Sequence, residues 1–561
     1  ENKQKKNIIS KEDLLALNCW QLYGVTNKIP YIKSLERSGI ITSFILDEKE
    51  IYYISYNLLE DYISASWIIQ NKSDEELKEY ALHNLFEINH EAQIKNGGNA
   101  SLFSMIAALY SIKNNKECIS FIDDLAENEH KRFVIEEYFR TFCWREYNDS
   151  LESFIASLDK YKVSPNIVWQ IFVENSTKVN NELNAIGLNR LLNKYSLTRR
   201  DYLWTIFVND LNELDIIIKY AYYIEKGNTL ESVSEEKIKL LLILFSWFLT
   251  SSNRVLRDRI SKAMIEILKH RFALCKYLLN LFKAVNDPYI IQRLFGIVFG
   301  AVMKRGLKDE GNFEGLAVYI YKEVFCKAEV YPDILLRDYA RLIIERFIYE
   351  FPHKESNFEN KIFKPPYTSQ PIPRGTVIDY YKSEYYSGGR GCICSSMMFN
   401  SKVKSGGMYG DFGRYVFQAA LSYFKNVDED NIYYYAMDYI FNTLEYSDDL
   451  FGEYDKCRSG YWDRFSMRRT ERIGKKYQWI TFYNVLARLS DTHKLLGPYS
   501  DDKKDIQYNG PWNPYVRDFD PTLNIRYSMN HISTPVFEEE PLENSSFLIN
   551  DVSKDEIDCW L

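Results

Sequence analysis

The chain has 561 residues, a mass of 66.4 kDa and a formal net charge of −8, with 46% apolar and 26% charged residues. These proportions exclude a disordered tail, a collagen and a small disulfide scaffold, and the mild acidity argues against a surface built throughout to hold nucleic acid. Two departures from average remain: aromatic residues reach 16%, with 44 Tyr and 33 Phe, and glycine is scarce at 24. Scarce glycine suits long helical stretches, where each Gly costs about 1 kcal/mol relative to Ala. Lys, Asn, Ile and Tyr are all plentiful, as an AT-rich genome would make them, so the Tyr excess alone marks no binding surface. The nine cysteines are odd in number and scattered, which reads as reduced thiols and a cytoplasmic location. Glu1 to Lys6 leads into no hydrophobic signal core, and the chain stops on Trp560-Leu561; the expectation is a piece of a longer protein.

In chain order, Ile40–Leu46, a polar turn at Asp47–Glu50 and Ile51–Tyr56 predict a β-hairpin. Leu58 to Ile69 follows with helical spacing. A hairpin leaning on helices is the pattern of a winged-helix-like unit, placed at 1–72. From 73 to 351 the pattern is helix after helix, with short polar stops such as Asn96–Asn99 and a Ser-led cap at Ser234. Leu256-Arg257-Asp258 and Leu336-Arg337-Asp338 each enter an amphipathic helix and lie 80 residues apart, with Asn286-Asp287-Pro288-Tyr289 near the midpoint. A period near 40 is the mark of a HEAT/TPR-like helical repeat, an α-solenoid. The apolar run Ile238–Leu249 is too short for the ~18–20 residues of a membrane span and reads as a core helix.

Residues 352–374 hold five prolines and read as a connector. Thirteen of the 24 glycines fall between Gly375 and Gly510. The 375–497 stretch is therefore read as a loop-rich, Gly-rich recognition region, with helices near 412–424, 431–444 and 471–489. The 498–561 stretch reads as an extended irregular tail that covers the preceding region rather than folding alone. The expected fold class is mainly α.

Motifs for chemistry are few. No GxxxxGK[ST] phosphate loop occurs, so any ATP machinery lies outside this chain. The Gly406–Gly413 glycines read as a tight turn entering a helix. Cys392-Ile393-Cys394 has one intervening residue rather than zinc spacing, and no nucleophile–histidine arrangement is recognisable; no catalytic residue, metal or cofactor is assigned to this chain. The one concentrated basic feature is Arg464–Lys476, with six basic residues against Glu471 and with Phe465, Tyr477 and Trp479 interleaved or following. It reads as an amphipathic helix pairing with acids such as Asp411, Glu453 or Asp455, or as a partner contact. Nucleic acid is the weakest reading. The candidate partner-binding residues are Arg390, Tyr409, Asp411, Arg414, Arg469, Arg472, Lys475, Lys476 and Trp479.

Several strings carry a family resemblance: Tyr53–Ala65, Trp247–Arg254 running into Leu256–Arg259, Asn286–Tyr289, Leu336–Arg341, Gly410–Tyr415 and Glu471–Ile480. Together they resemble the C-terminal sensor region of Avs proteins, bacterial antiviral STAND NTPases related in architecture to NOD-like receptors. The resemblance implies that 1–72 is the tail of a STAND module and that the rest is a sensor. Such a sensor would bind a conserved phage protein, the large terminase subunit first and the portal second. Binding would release an upstream ATPase, using ATP and magnesium, to form a homo-tetramer and switch on an effector such as a nuclease. The chain lacks the phosphate loop and any effector, so no enzymatic activity carries over. Two readings from other classes stand beside it. One is a general HEAT-like interaction scaffold; the other is a nucleic-acid-processing enzyme built on the 464–476 stretch.

Overall fold

A computed structural model of the chain describes residues 8–22, 24–147, 149–211, 214–227, 230–306, 310–376, 391–402, 409–458, 470–496, 506–510 and 521. The protein is mainly helical, with one small three-stranded sheet among the described residues. It divides into two compact units, residues 1–175 and 176–561, so the expected 73–351 stretch is shared between them.

In the first unit the sheet runs β1 (Ile9–Ser10), β3 (Lys49–Ile54), β2 (Ile41–Leu46), both pairings antiparallel. The expected hairpin forms, but its turn is tighter than Asp47–Glu50. Only Asp47 (φ 48°) and Glu48 (φ 63°) stand between Leu46 and its partner Lys49. Left-handed backbone at both positions is the two-residue turn whose twist matches that of the strands. Trp20, Ile32 and Tyr52 form a small core beneath the sheet. The helix Asn57–Asn71 then packs on Ala100–Asn114, which packs on Glu129–Arg140. Part of the aromatic content packs here. Phe142 and Phe154 meet edge-on at 5.5 Å and Phe139 lies against both, while Tyr138 supports a pair between buried Arg145 and partly buried Glu117.

In the second unit helices alternate between two rows. Leu214–Glu225 packs on Arg254–His270, that on Pro288–Lys304, and that on Ile334–Glu350. In the other row Glu235–Phe248 packs on Leu274–Phe282, and that on Glu310–Ile320. The expected helix starts are present with their caps: the side chains of Asn253, Asp287 and Asp333 accept the first free amides of the helices that follow them. The arginines just inside three helices are buried and point backwards. Arg200 Nε donates to the Leu192 carbonyl at 3.1 Å, Arg257 Nε to Leu249 at 3.1 Å and Arg337 Nε to Tyr331 at 2.8 Å. Arg200 and Arg257 thereby satisfy carbonyls that the preceding helix leaves open, at the end where a cation is favoured.

The remaining elements surround Ile473–Thr492, fifteen of whose twenty residues are buried. It packs on Pro288–Lys304 and Ile334–Glu350 from the rows, and on Gly391–Met397, Glu429–Asp438 and Asp448–Cys457 from its own neighbourhood. The residue before it is Arg472, whose side chain makes no cap. The cap comes from Asp455 instead, whose carboxylate accepts the Ile473 amide at 2.6 Å, the Gly474 amide at 2.8 Å and the Tyr446 hydroxyl at 2.8 Å. Burial, the largest cause, pushes the Asp455 carboxyl up, while these donors and Arg472 pull it down. A raised carboxyl favours the protonated form in the fold. Its contribution to stability is then full below the unfolded range near about 3.9 and is lost as the pH rises through the folded value. Unfolding free energies of the parent and of Asp455→Asn, measured across that range, should show the parent losing ground to the variant as pH rises; a constant difference would contradict this.

Candidate functional site

The glycine-rich segment owes its composition to close packing. Cβ atoms at Gly410 or Gly413 would strike the backbone of residues 395–398, and the Gly410 amide donates to the Met398 carbonyl at 2.9 Å. Only glycine allows two main chains this near. The segment continues as a wide helical turn, Phe412–Gln418. Pressed inward by its glycines, it shows Tyr409, Asp411, Arg414 and Tyr415 to solvent. Tyr415 is 63% exposed; its ring meets Tyr409 edge-on at 5.7 Å, and their hydroxyls lie 3.0 Å apart. That hydrogen bond raises the Tyr415 hydroxyl above its ordinary value.

Phe412 faces the other way and joins this segment to the second candidate stretch. It meets Trp479 edge-on at 5.0 Å, and Lys475 Nζ lies 5.7 Å from the centre of its ring. Through Phe412 the structure thus packs the segment carrying Tyr409, Asp411 and Arg414 on the helix carrying Lys475 and Trp479, which the sequence separates by some sixty residues. Arg472 is partly buried and donates to the Cys392 carbonyl at 2.9 Å. Arg390 and Arg469, with Arg464 and Arg468, lie outside the described residues.

Lys476 corrects the reading of an exposed basic stretch. Its side chain is fully buried, with Nζ 2.8 Å from Asp201 Oδ1 and 2.7 Å from Asp287 Oδ2. Both carboxylates are fully buried as well, and the Arg200 guanidinium lies 3.8 Å from Asp287. Two cations and two anions are paired where none of the four side chains is exposed. The Thr205 hydroxyl also donates to Asp201 at 2.6 Å, and burial pushes the Asp201 carboxyl up against the pull of Lys476. At the other end of the same helix, buried Asp491 pairs with Arg337 at 2.8 Å and accepts the Tyr367 amide at 2.9 Å and the Ser369 hydroxyl at 2.6 Å. The helix beneath the candidate surface is therefore fixed to the rows at both ends. Sequence reading missed Arg200, Asp201 and Asp491. The Arg-Asp dipeptide at 200–201, matching those at 257–258 and 337–338, is a signal that could have found the first two.

Among the described residues no group of three or more His, Cys, Asp or Glu converges as metal ligands do, and no helix is long and apolar enough to cross a membrane. Compared with protein-family models, curated proteins and solved structures, the chain finds no match in any of the three.

Proposed function

We propose that the chain is the target-sensing region of a bacterial anti-phage STAND receptor acting in the cytoplasm, and that it binds the large terminase subunit, with the portal protein as the second choice. The observation that carries this reading is the exposed Tyr409–Arg414–Tyr415 surface, whose segment packs through Phe412 on a helix held at both ends by buried ion pairs. Tyr and Arg supply most binding hot spots, and a rigid frame spares the ordering cost of association. The two helix rows agree with a HEAT-like solenoid, and the β1-β3-β2 sheet with its short helices agrees with a winged-helix-like tail of a STAND module. ATP, magnesium, the tetramer and the effector belong, in this reading, to modules outside the chain. A general scaffold would have the same frame but no preference for viral proteins. The nucleic-acid reading draws no support from Lys476, which is spent on internal pairing.

Co-expression with single phage proteins tests the proposal. A stable complex with large terminase or portal is expected, and the Arg414→Ala/Tyr415→Ala variant should bind it at least about tenfold more weakly. Its thermal midpoint should match the parent's, because both side chains are exposed.

A further inference from the structure

The strand β2 (Ile41–Leu46) forms one side of the first unit's sheet, and among the described residues no strand or bridge pairs with its outer edge. Its inner edge belongs to β3. The Ser55 amide donates to the Ile40 carbonyl at 3.0 Å, and the register continues with Thr42 on Tyr53, Phe44 on Ile51 and Leu46 on Lys49. Hydrogen-bonded positions alternate along an antiparallel pair, so Thr42, Phe44 and Leu46 turn their amides and carbonyls to β3. Ile41, Ser43 and Ile45 turn theirs outward. Natural sheet edges are guarded by charges, proline or a bulge. Ile41-Thr42-Ser43-Phe44-Ile45-Leu46 holds no charge and no proline, and its register with β3 runs without a break. The open strand also carries large apolar side chains. Ile45 is 78% exposed; Phe44 and Tyr53 meet edge-on at 5.8 Å on the face away from Trp20 and Ile32, and are 39% and 37% exposed.

We infer that β2 is a pairing edge for a second copy of this chain, the two strands running antiparallel about a two-fold axis at Ser43. Such a pairing is self-complementary and closes on a dimer. It sets Ser43 opposite Ser43, and Ile41 of each copy opposite Ile45 of the other. The three outward-facing residues then exchange about six hydrogen bonds across the axis. The axis stands perpendicular to the sheet, which keeps the two faces continuous. Phe44 lies opposite Thr42 of the second copy on the outer face, and Ile45 lies opposite Ile41 on the core face. Ile45 thereby gains the apolar neighbour that its own unit leaves it without. No like charges meet: Asp47, the first charged residue past the strand, falls opposite Gly39. This matching along the whole strand, with no charge buried, is what favours a second copy over a foreign strand. The strand lies in the first unit and the Tyr409–Tyr415 surface in the second, so the inference does not rest on the sensing proposal.

Sedimentation velocity of the full chain from about 1 to 200 μM tests the pairing. The parent is expected to pass from monomer to dimer, with no larger species. Ile45→Lys sets a charge on the edge, as natural edges do, and Ile45→Pro removes an outward amide while sparing those bonded to β3. Each should weaken the dimer at least about tenfold, and Ile45→Val should pair as the parent does. Thermal midpoints measured at the dilute end, where every form is monomeric, should agree, because the Ile45 side chain is exposed. If proline alone lowers the midpoint, the lysine variant decides. A parent that stays monomeric throughout, growth past the dimer, or a dimer indifferent to both the lysine and the proline would overturn the inference.

Discussion

Replacing Lys476 by methionine is expected to destabilise the 176–561 unit by about 3–5 kcal/mol, the cost of leaving buried charge without its partner. Lys476 Nζ is the cation nearest both Asp201 and Asp287, and all three side chains have no exposure to solvent. Arg200, at 3.8 Å from Asp287, compensates one carboxylate in part and does not replace the ammonium. The loss arises from the stranded acids rather than from the missing attraction, which makes a second outcome specific. Adding Asp201→Asn and Asp287→Asn to Lys476→Met should recover most of the stability, because neutral amides cost far less to bury and Asn still caps the Pro288–Lys304 helix. Urea unfolding of the parent, single and triple variants checks this. A triple variant no more stable than the single one would mean that the lysine acts by packing and not by charge.

Replacing Asp491 by alanine should cost a similar amount, about 3–5 kcal/mol. Its carboxylate pairs with Arg337, whose side chain is 1% exposed, and also accepts the Tyr367 amide and the Ser369 hydroxyl. Alanine would leave the buried Tyr367 amide and the half-buried Ser369 hydroxyl open besides the guanidinium. The two sites lie fifteen residues apart on one helix, about 22 Å at 1.5 Å per residue. At that distance the costs of Lys476→Met and Asp491→Ala should add within about 0.5 kcal/mol. A strong deviation would show that the helix is released at both ends together.

These two residues also mark where sequence reading stops. Local chemistry is legible. The Asp47–Glu48 turn, the caps at Asn253, Asp287 and Asp333, and the helix starting near Phe412 all follow from neighbours within a few positions. Lys476 is not legible in this way. Its run of basic neighbours suggests a solvated face, while its true partners lie 275 and 189 residues earlier in the chain. The Ile473–Thr492 helix hides its role for the same reason: buried over most of its surface, it places Lys476, Gln478, Thr481, Asn484 and Ser490 in the interior and so lacks a clear polar face to read. The glycines at 410 and 413 suggest a turn, and their use against the 395–398 backbone depends on a crossing that only the fold supplies. Of the candidate site, Tyr409 and Arg414 were legible as exposed polar and aromatic residues. That their segment packs on Trp479 through Phe412 was not.

Binding of purified large terminase and of purified portal protein to the parent chain and to Arg414→Ala/Tyr415→Ala, followed by calorimetry, tests the proposal most directly. The expected result is a complex with one of the two viral proteins, weakened at least about tenfold in the variant while its thermal midpoint stays the same. No complex with either protein would contradict the sensing function. A complex that the variant leaves untouched would contradict the assignment of this surface.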